Sequence, residues 1–438
     1  MQNKTNLLDK KTIRSELNRA MNSFMTHQVE KAFALINHLE SAKIPVSEQG
    51  KVQKVVMLLL AGTLYDMSTL TELLSLLGIK SNNYSKIWQK LSHKQVYDLF
   101  VMGSRQLFSK EFTKLLAQSE SSQSRAEITI VGDDSVFQHW LKKVENDAFY
   151  GKFFSGQYQK TVFGYCVSLV GVVLHGTFYP LSFSLVPKAQ AKTAENEVKD
   201  LERKERKKSL IQLEKGIKEV QFFLTQLSKD HKKELPTLYL SVDSGFNDKE
   251  LLEFCEKLEI VAISVANGTE ILFYKDKRMN FKELIDSVFL PAEKAFYGDK
   301  INENKPFSLR LKVYYQKLKR CVTILIFRFN GSKKRTVIFA YDKNIFAKTL
   351  RRHFFQRTQI EQFFRMVKHT LGISQSKSID YKSFIKKVAL YFLKAIFAFS
   401  FRDYCRKHFR QFKKFSFYKL RINILHHNAD KSILFKWL

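Results

Sequence analysis

From Lys4 to about Ser124, apolar positions recur at steps of three and four, as in VEKAFALINHLE (Val29–Glu40) and VQKVVMLLLAGTLYDM (Val52–Met67). That spacing predicts amphipathic helices. LTELLSLLGIKSNNYSKIWQKL (Leu70–Leu91) reads as two helices around a turn at Gly78 to Asn83. This suits a helix-turn-helix DNA-binding unit and equally a plain helical hairpin. The polar, Ser-rich SESSQSRAE (Ser119–Glu127) closes the segment and predicts a domain boundary.

Beyond that break the period changes. AEITIVGDD is a short apolar strand ending in two carboxylates, Asp133 and Asp134. TVFGYCVSLVGVVL and GTFYPLSFSLVP predict two strands joined as a hairpin near His175–Gly176. Ala189 to Asp230 is a long charged helix with apolar punctuation; TLYLSVDSGF is a strand ending in Asp243; a helix in NDKELLEFCEKLE and a strand in IVAISVA follow. The order predicts an α/β class with a mixed sheet. Asn267 to Asp342 breaks the alternation with strand-like runs (RLKVYYQKLK, CVTILIFRF, RTVIFAYD) and reads as an inserted β-rich subdomain. Helices resume at Lys348 to Leu371 and Tyr381 to His408. The expected domains are thus 1–124 (helical, with the DNA-binding candidate), 125–266 with 343–380 (mixed α/β core), 267–342 (β-rich insertion) and 381–438 (basic, aromatic helices).

Composition narrows the partner. The 438 residues carry 74 Lys+Arg against 42 Asp+Glu, a formal net charge of +32, and 45% are hydrophobic. A folded chain this basic calls for a polyanion and excludes an acidic-surface enzyme. Four scattered cysteines lack zinc-site spacing and point to a reducing compartment. The N-terminus has no signal-peptide core, and the most apolar stretches fall short of a bilayer span. A cytoplasmic, nucleoid-associated protein without a membrane partner is expected. The tail FRDYCRKHFRQFKKFSFYKLR (Phe401–Arg421) interleaves basic and aromatic residues. Such a stretch serves phosphate contact with stacking, or else a surface helix whose aromatics pack inward.

Asp133, Asp134 and Asp243 end strands, where the edge of an α/β sheet exposes side chains to a ligand. Two such carboxylates side by side call for a cation, and hard oxygen donors without Cys or His suit Mg²⁺ or Mn²⁺. On the helix RRHFFQRTQIEQFFRMVKHTLGI, Arg357, Glu361, Arg365 and Lys368 follow each other at steps of three and four along one broad face. Taken alone, that is a row of solvated salt pairs.

With these residues in place, the chain resembles bacterial insertion-sequence DDE transposases of the group marked by Tyr, two residues, Arg, three residues, Glu, six residues, Lys. The matching positions are Phe354, Arg357, Glu361 and Lys368, with Phe where the group has Tyr. IVGDDS is similar to the group's first-Asp strand and points to Asp134, followed by Ser135, with Asp133 the alternative. LSVDSGFNDKELLEFCEKLEI is similar to its second-Asp strand and helix.

The resemblance implies a ribonuclease H-like core in which Asp134, Asp243 and Glu361 hold two Mg²⁺ ions, with Mn²⁺ able to substitute, for cleavage at transposon ends and strand transfer into target DNA. It implies Arg357 and Lys368 on DNA phosphates, with Arg351, Arg352 and Phe354 beside them, and a homodimer on double-stranded DNA bearing terminal inverted repeats. Relatives hold a flipped base with an aromatic residue of the insertion. Trp88, Trp140 and Trp437 all lie outside it, leaving Phe273, Tyr274, Tyr297 and Tyr314. The competing functions are a catalytically inactive DNA-binding remnant and a ribonuclease H-like nuclease without strand transfer. Glu361 follows Asp243 by 361 − 243 = 118 positions, more than a minimal nuclease core needs.

Overall fold

The computed structural model describes residues 10–24, 43–65, 82–121, 125–138, 147–155, 160–188, 197–298, 305–330, 332, 334–342, 344–373 and 380–426. The chain divides into two compact units. One gathers Met1–Lys110, Phe137–Asp147 and Phe363–Leu438; the other gathers Glu111–Val136 and Ala148–Gln362.

The second unit is built on one mixed sheet. Its strands are β1 (Glu127–Gln138), β2 (Tyr150–Ser155), β3 (Lys160–Leu174), β4 (Thr177–Val186), β5 (Thr237–Ser241), β6 (Ile260–Val265), β7 (Ile271–Tyr274), β8 (Lys277–Asn280), β9 (Phe307–Tyr315), β10 (Arg320–Arg328) and β11 (Arg335–Ala340). They lie in the order β2-β3-β1-β5-β6-β11-β10-β9-β7-β8, with β4 also on β3. β1, β5 and β6 are parallel neighbours. Their near-continuous apolar runs follow from burial on both faces. The helices Glu197–Asp230 and Lys249–Lys257 make the crossovers into β5 and β6. The expected hairpin joins β3 to β4 through His175 (φ 50°) and Gly176 (φ 76°). Two successive positive φ values give the turn whose twist matches the strands.

The region 267–342 differs from its sequence reading in two ways. Its strands continue the main sheet, because β11 pairs antiparallel with β6 (Ile338 opposite Val265, Ala340 opposite Ile263). It also contains a helical run, Phe281–Tyr297, opened by a reciprocal cap between Asn280 and Glu283. Glu293 on this run is fully buried and meets Arg328 of β10 at 2.5 Å, with Arg335 3.6 Å away. A helix spanning Ala347–Gln356 then crosses the sheet, burying Leu350 and Phe354 against Tyr239, Ile263, Leu325, Phe327 and Ile338.

The other unit is mainly helical among its described residues: Lys10–Ser23, Val46–Ala61, Asn82–Lys90, the start of His93–Ser121, Tyr381–His408 and Phe417–His426. Phe24 packs edge-on against Phe397 and Phe401. Lys386 donates to the carbonyls of Trp88 and Leu91, capping the Asn82–Lys90 helix, and burial lowers its pKa to about 8. The tail's aromatics pack inward: Phe401, Phe409, Phe412 and Phe417 are buried, and Tyr418 is exposed. Most of the helix-turn-helix candidate lies outside the described residues. No helix among the described residues is long and apolar enough to cross a membrane.

At Gly171, where the β3–β4 register shifts, an added Cβ would lie 2.3 Å from the carbonyl oxygen of Tyr179. Gly171→Ala should therefore lower the unfolding free energy by about 1–3 kcal/mol in urea titration.

Candidate functional site

The geometry of the site follows from strand register. In the parallel β1–β5 ladder, Val131 lies opposite Ser241. Two residues further on, side chains return to the same face, which brings Asp133 level with Asp243. Beyond Ser241 the extended path continues: the Val242 amide donates to the Ile263 carbonyl at 3.2 Å, and Asp243 has φ −73° and ψ 164°. Asp134 falls on the opposite face, where its carboxylate accepts from Ser209 of the Glu197–Asp230 helix. Of the two aspartates, the structure brings Asp133 to Asp243.

Glu361 joins them from the Thr358–Arg365 helix. Arg357, at the joint between that helix and Ala347–Gln356, has a guanidinium nitrogen 2.8 Å from Glu361 Oε1 and another 3.8 Å from Asp243 Oδ1. Burial raises the pKa of Asp133 well above the usual carboxylate range. The Asp134 charge adds to this, Arg357 opposes it, and Asp243 raises it further. The Asp134 amide donates to Asp133 at 2.9 Å, and the Ser244 amide to Asp243 at 2.7 Å. Asp243 and Glu361 thus pair with one guanidinium, whose charge Asp133 also feels. Among the described residues, no three His, Cys, Asp or Glu side chains form a ready-made metal cluster.

His353 connects the three elements. Its Nδ1 lies 2.6 Å from Thr129 Oγ1, and its ring stacks on Tyr239 at 3.8 Å. Thr129, Tyr239 and His353 each precede by four residues a member of the site: Asp133, Asp243 and Arg357. One buried imidazole therefore fixes the helix against both strands. Burial and the adjacent Arg352 push its pKa down to about 3, so it is neutral at pH 7.

The loop after Asp243 is held as well. Asn247 donates to the Tyr315 hydroxyl at 3.2 Å, Tyr315 donates to Glu270, and Lys317 donates to the Asn247 carbonyl at 2.6 Å.

The remaining candidates make contacts of their own. Phe354 is a core side chain. Arg351 lies over the rings of Phe327 and Phe355, and Arg352 pairs with Glu127. Lys368 belongs to the helical unit, its Nζ 5.0 Å from the Phe137 ring centre. Sequence reasoning missed Ser209, Thr129, Tyr239 and His353. A signal for the register was present: counted from the strand starts Glu127 and Thr237, Asp133 and Asp243 are both six residues on, since 133 − 127 = 243 − 237 = 6. Matching the Asp-Ser pairs instead selects Asp134.

No protein-family model matches the chain, and no curated protein matches it. Among solved structures it is similar to a piggyBac transposase synaptic complex with hairpin DNA, at 10% identity and a TM-score of 0.43, covering 98% of this chain and 82% of that one.

Two measurements check these assignments. An imidazole held neutral down to about pH 3 loses stability to the unfolded chain as pH falls below about 6.5, by at most about 1.4 kcal/mol per pH unit. His353→Gln should flatten that part of the stability–pH curve relative to the parent. Burial and the Asp134 charge disfavour ionisation of Asp133, which costs stability above the usual carboxylate pKa, so Asp133→Asn should raise Tm at pH 7 by a few degrees, roughly 2–4 °C per kcal/mol for a unit of this size.

Proposed function

We propose that the chain is a DNA transposase that cuts and joins phosphodiester bonds with Asp133, Asp243 and Glu361. The observation that carries this is the in-register pair Asp133–Asp243, with Glu361 and Arg357 brought to the same sheet edge. The strand order, with β1 between the β3–β4 hairpin and the parallel β5 and β6, supports a ribonuclease H-like core. The +32 charge supports DNA as substrate.

The donor set fits a hard divalent cation. Its three members offer carboxylate oxygens alone, and the Asp133 carboxyl is destabilised as a carboxylate by burial and by its neighbours, which a dication would reverse. Asp133, Asp243 and Glu361 would hold Mg²⁺ or Mn²⁺, which supplies an activated water or DNA 3′-OH and neutralises charge on the leaving oxygen. The chain's own groups do the rest. Arg357 neutralises Asp243 and Glu361, and its planar donors would suit a phosphate oxygen of the scissile strand. His353 and the Asn247–Tyr315–Glu270 chain hold the carboxylates in register, so little reorganisation accompanies reaction. Binding terminal repeats as a homodimer belongs to the same proposal.

Divalent-dependent cleavage and strand transfer should fall at least on the order of 100-fold in Asp133→Asn and in Asp243→Asn, with DNA binding retained. Asp134→Asn should keep most of the activity. Loss on Asp134→Asn with survival of Asp133→Asn would overturn the register argument.

A further inference from the structure

The Glu197–Asp230 helix brings a second guanidinium to the carboxylate edge, from the sheet face opposite Arg357. Leu213 of this helix fills the space left by Gly132 on β1, and Ser209, 3% exposed, donates to Asp134. Arg206 lies three residues before Ser209, hence on the same side of the helix and further out. It is exposed and reaches the turn after Asp243, where its guanidinium donates to the Ser244 carbonyl at 3.4 Å. That acceptor is neutral, and among the described residues no carboxylate pairs with Arg206. Arg357, by contrast, is committed to Asp243 and Glu361. Arg206 therefore keeps its charge uncompensated and most of its N–H donors unused.

The turn that Arg206 touches is open above and fastened below. Ser244–Phe246 forms a short 3₁₀ turn whose middle residue, Gly245, is exposed. A Cβ added to Gly245 would meet no heavy atom within 4 Å, and its φ is not left-handed. Neither strain nor packing calls for glycine there; what it supplies is close access to the backbone beside Asp243. The flanks are tied down: the Ser244 amide donates to Asp243 at 2.7 Å, Phe246 is buried, and Tyr315 and Lys317 hold Asn247. About two turns beyond Arg206 on the helix lies Glu214. Burial raises its pKa, and the nearby Glu250 and Asp248 charges raise it further. This acidic group bounds the surface and steers a polyanion toward Arg206.

We infer that the DNA strand carrying the scissile phosphate runs over the Ser244–Phe246 turn, with Arg206 holding a neighbouring phosphate. The choice of DNA as ligand rests on the function proposed above. Arg206 contributes by its charge and Gly245 by its lack of a side chain. Arg357 and Arg206 then flank the reacting bond, the first committed to the carboxylates and the second to the substrate.

The test is fluorescence anisotropy of the full chain with a labelled DNA duplex of mixed sequence, in EDTA, across a KCl series. Arg206→Ala should make the log–log salt slope shallower by about 0.9, the loss of one phosphate contact, and Arg206→Lys should retain the parental slope. Gly245→Leu changes no charge, yet should make the slope shallower by the same amount, because a strand held off the turn no longer reaches Arg206. Combining it with Arg206→Ala should shift the slope no further. If Arg206 merely braced the Ser244 carbonyl, Gly245→Leu would leave the slope unchanged. The control is Lys218→Ala, an exposed cation about three turns along the same helix, which should keep the parental slope. An unchanged slope in Arg206→Ala or in Gly245→Leu, additive shifts in the double variant, or an equal shift in Lys218→Ala would each overturn the inference. Thermal unfolding at the parental Tm shows that the variants are folded. Because EDTA removes metal and cleavage from the measurement, failure here is separate from failure of the catalytic proposal.

Discussion

Two aspartates that the backbone does not allow to move apart dominate the unit. Once β1 and β5 pair in parallel with Val131 opposite Ser241, Asp133 and Asp243 stand level on one face. Like charges at that separation oppose ionisation, and burial makes the penalty larger. Arg357 answers the repulsion from within the chain, and its side chain is only 16% exposed. Its placement depends in turn on the Ala347–Gln356 helix, whose apolar side presses Leu350 and Phe354 into the sheet. The apolar core and the charged site are one problem solved by one helix.

The two faces of the sheet carry different duties. On one face, Gly132 leaves room for Leu213, which an added Cβ would approach to 2.4 Å, and Ser209 meets Asp134. That face is chiefly packing, with polar contacts such as Ser182 donating to Glu219 at 2.7 Å. The other face bears Asp133, Asp243 and His353. Alternation along β1 separates Asp133 from Asp134, so adjacent, chemically identical residues have different surroundings.

Much of this was legible in the sequence because it is local. The β3–β4 hairpin shows in His175–Gly176 between apolar runs, and the Tyr381–His408 helix in its own periodicity. Asp243 and Glu361 stood out as a strand end and a helix position. What the sequence did not settle depends on pairing between distant segments. Asp133 and Asp134 differ only through the register of β1 on β5. The β11 pairing that merges region 267–342 with the main sheet joins Ile338 to Val265 across four intervening strands and a helical run. The burial of Phe409, Phe412 and Phe417 follows from helix packing, which composition alone leaves open. Phe354 illustrates the limit of motif matching: its spacing fits the signature, while its ring belongs to the core.

The buried Glu293–Arg328 pair has a consequence for modularity. Arg328 also donates to the Lys305 carbonyl at 2.9 Å, so one guanidinium joins the helical run, the approach to β9 and β10. Detaching Phe281–Tyr297 would leave a charge stranded in an apolar interior, a penalty far greater than the pair's own worth. The segment is therefore no cassette that recombination could trim or exchange. It is inherited together with the strands it rests on, and changes in it must keep pace with those strands.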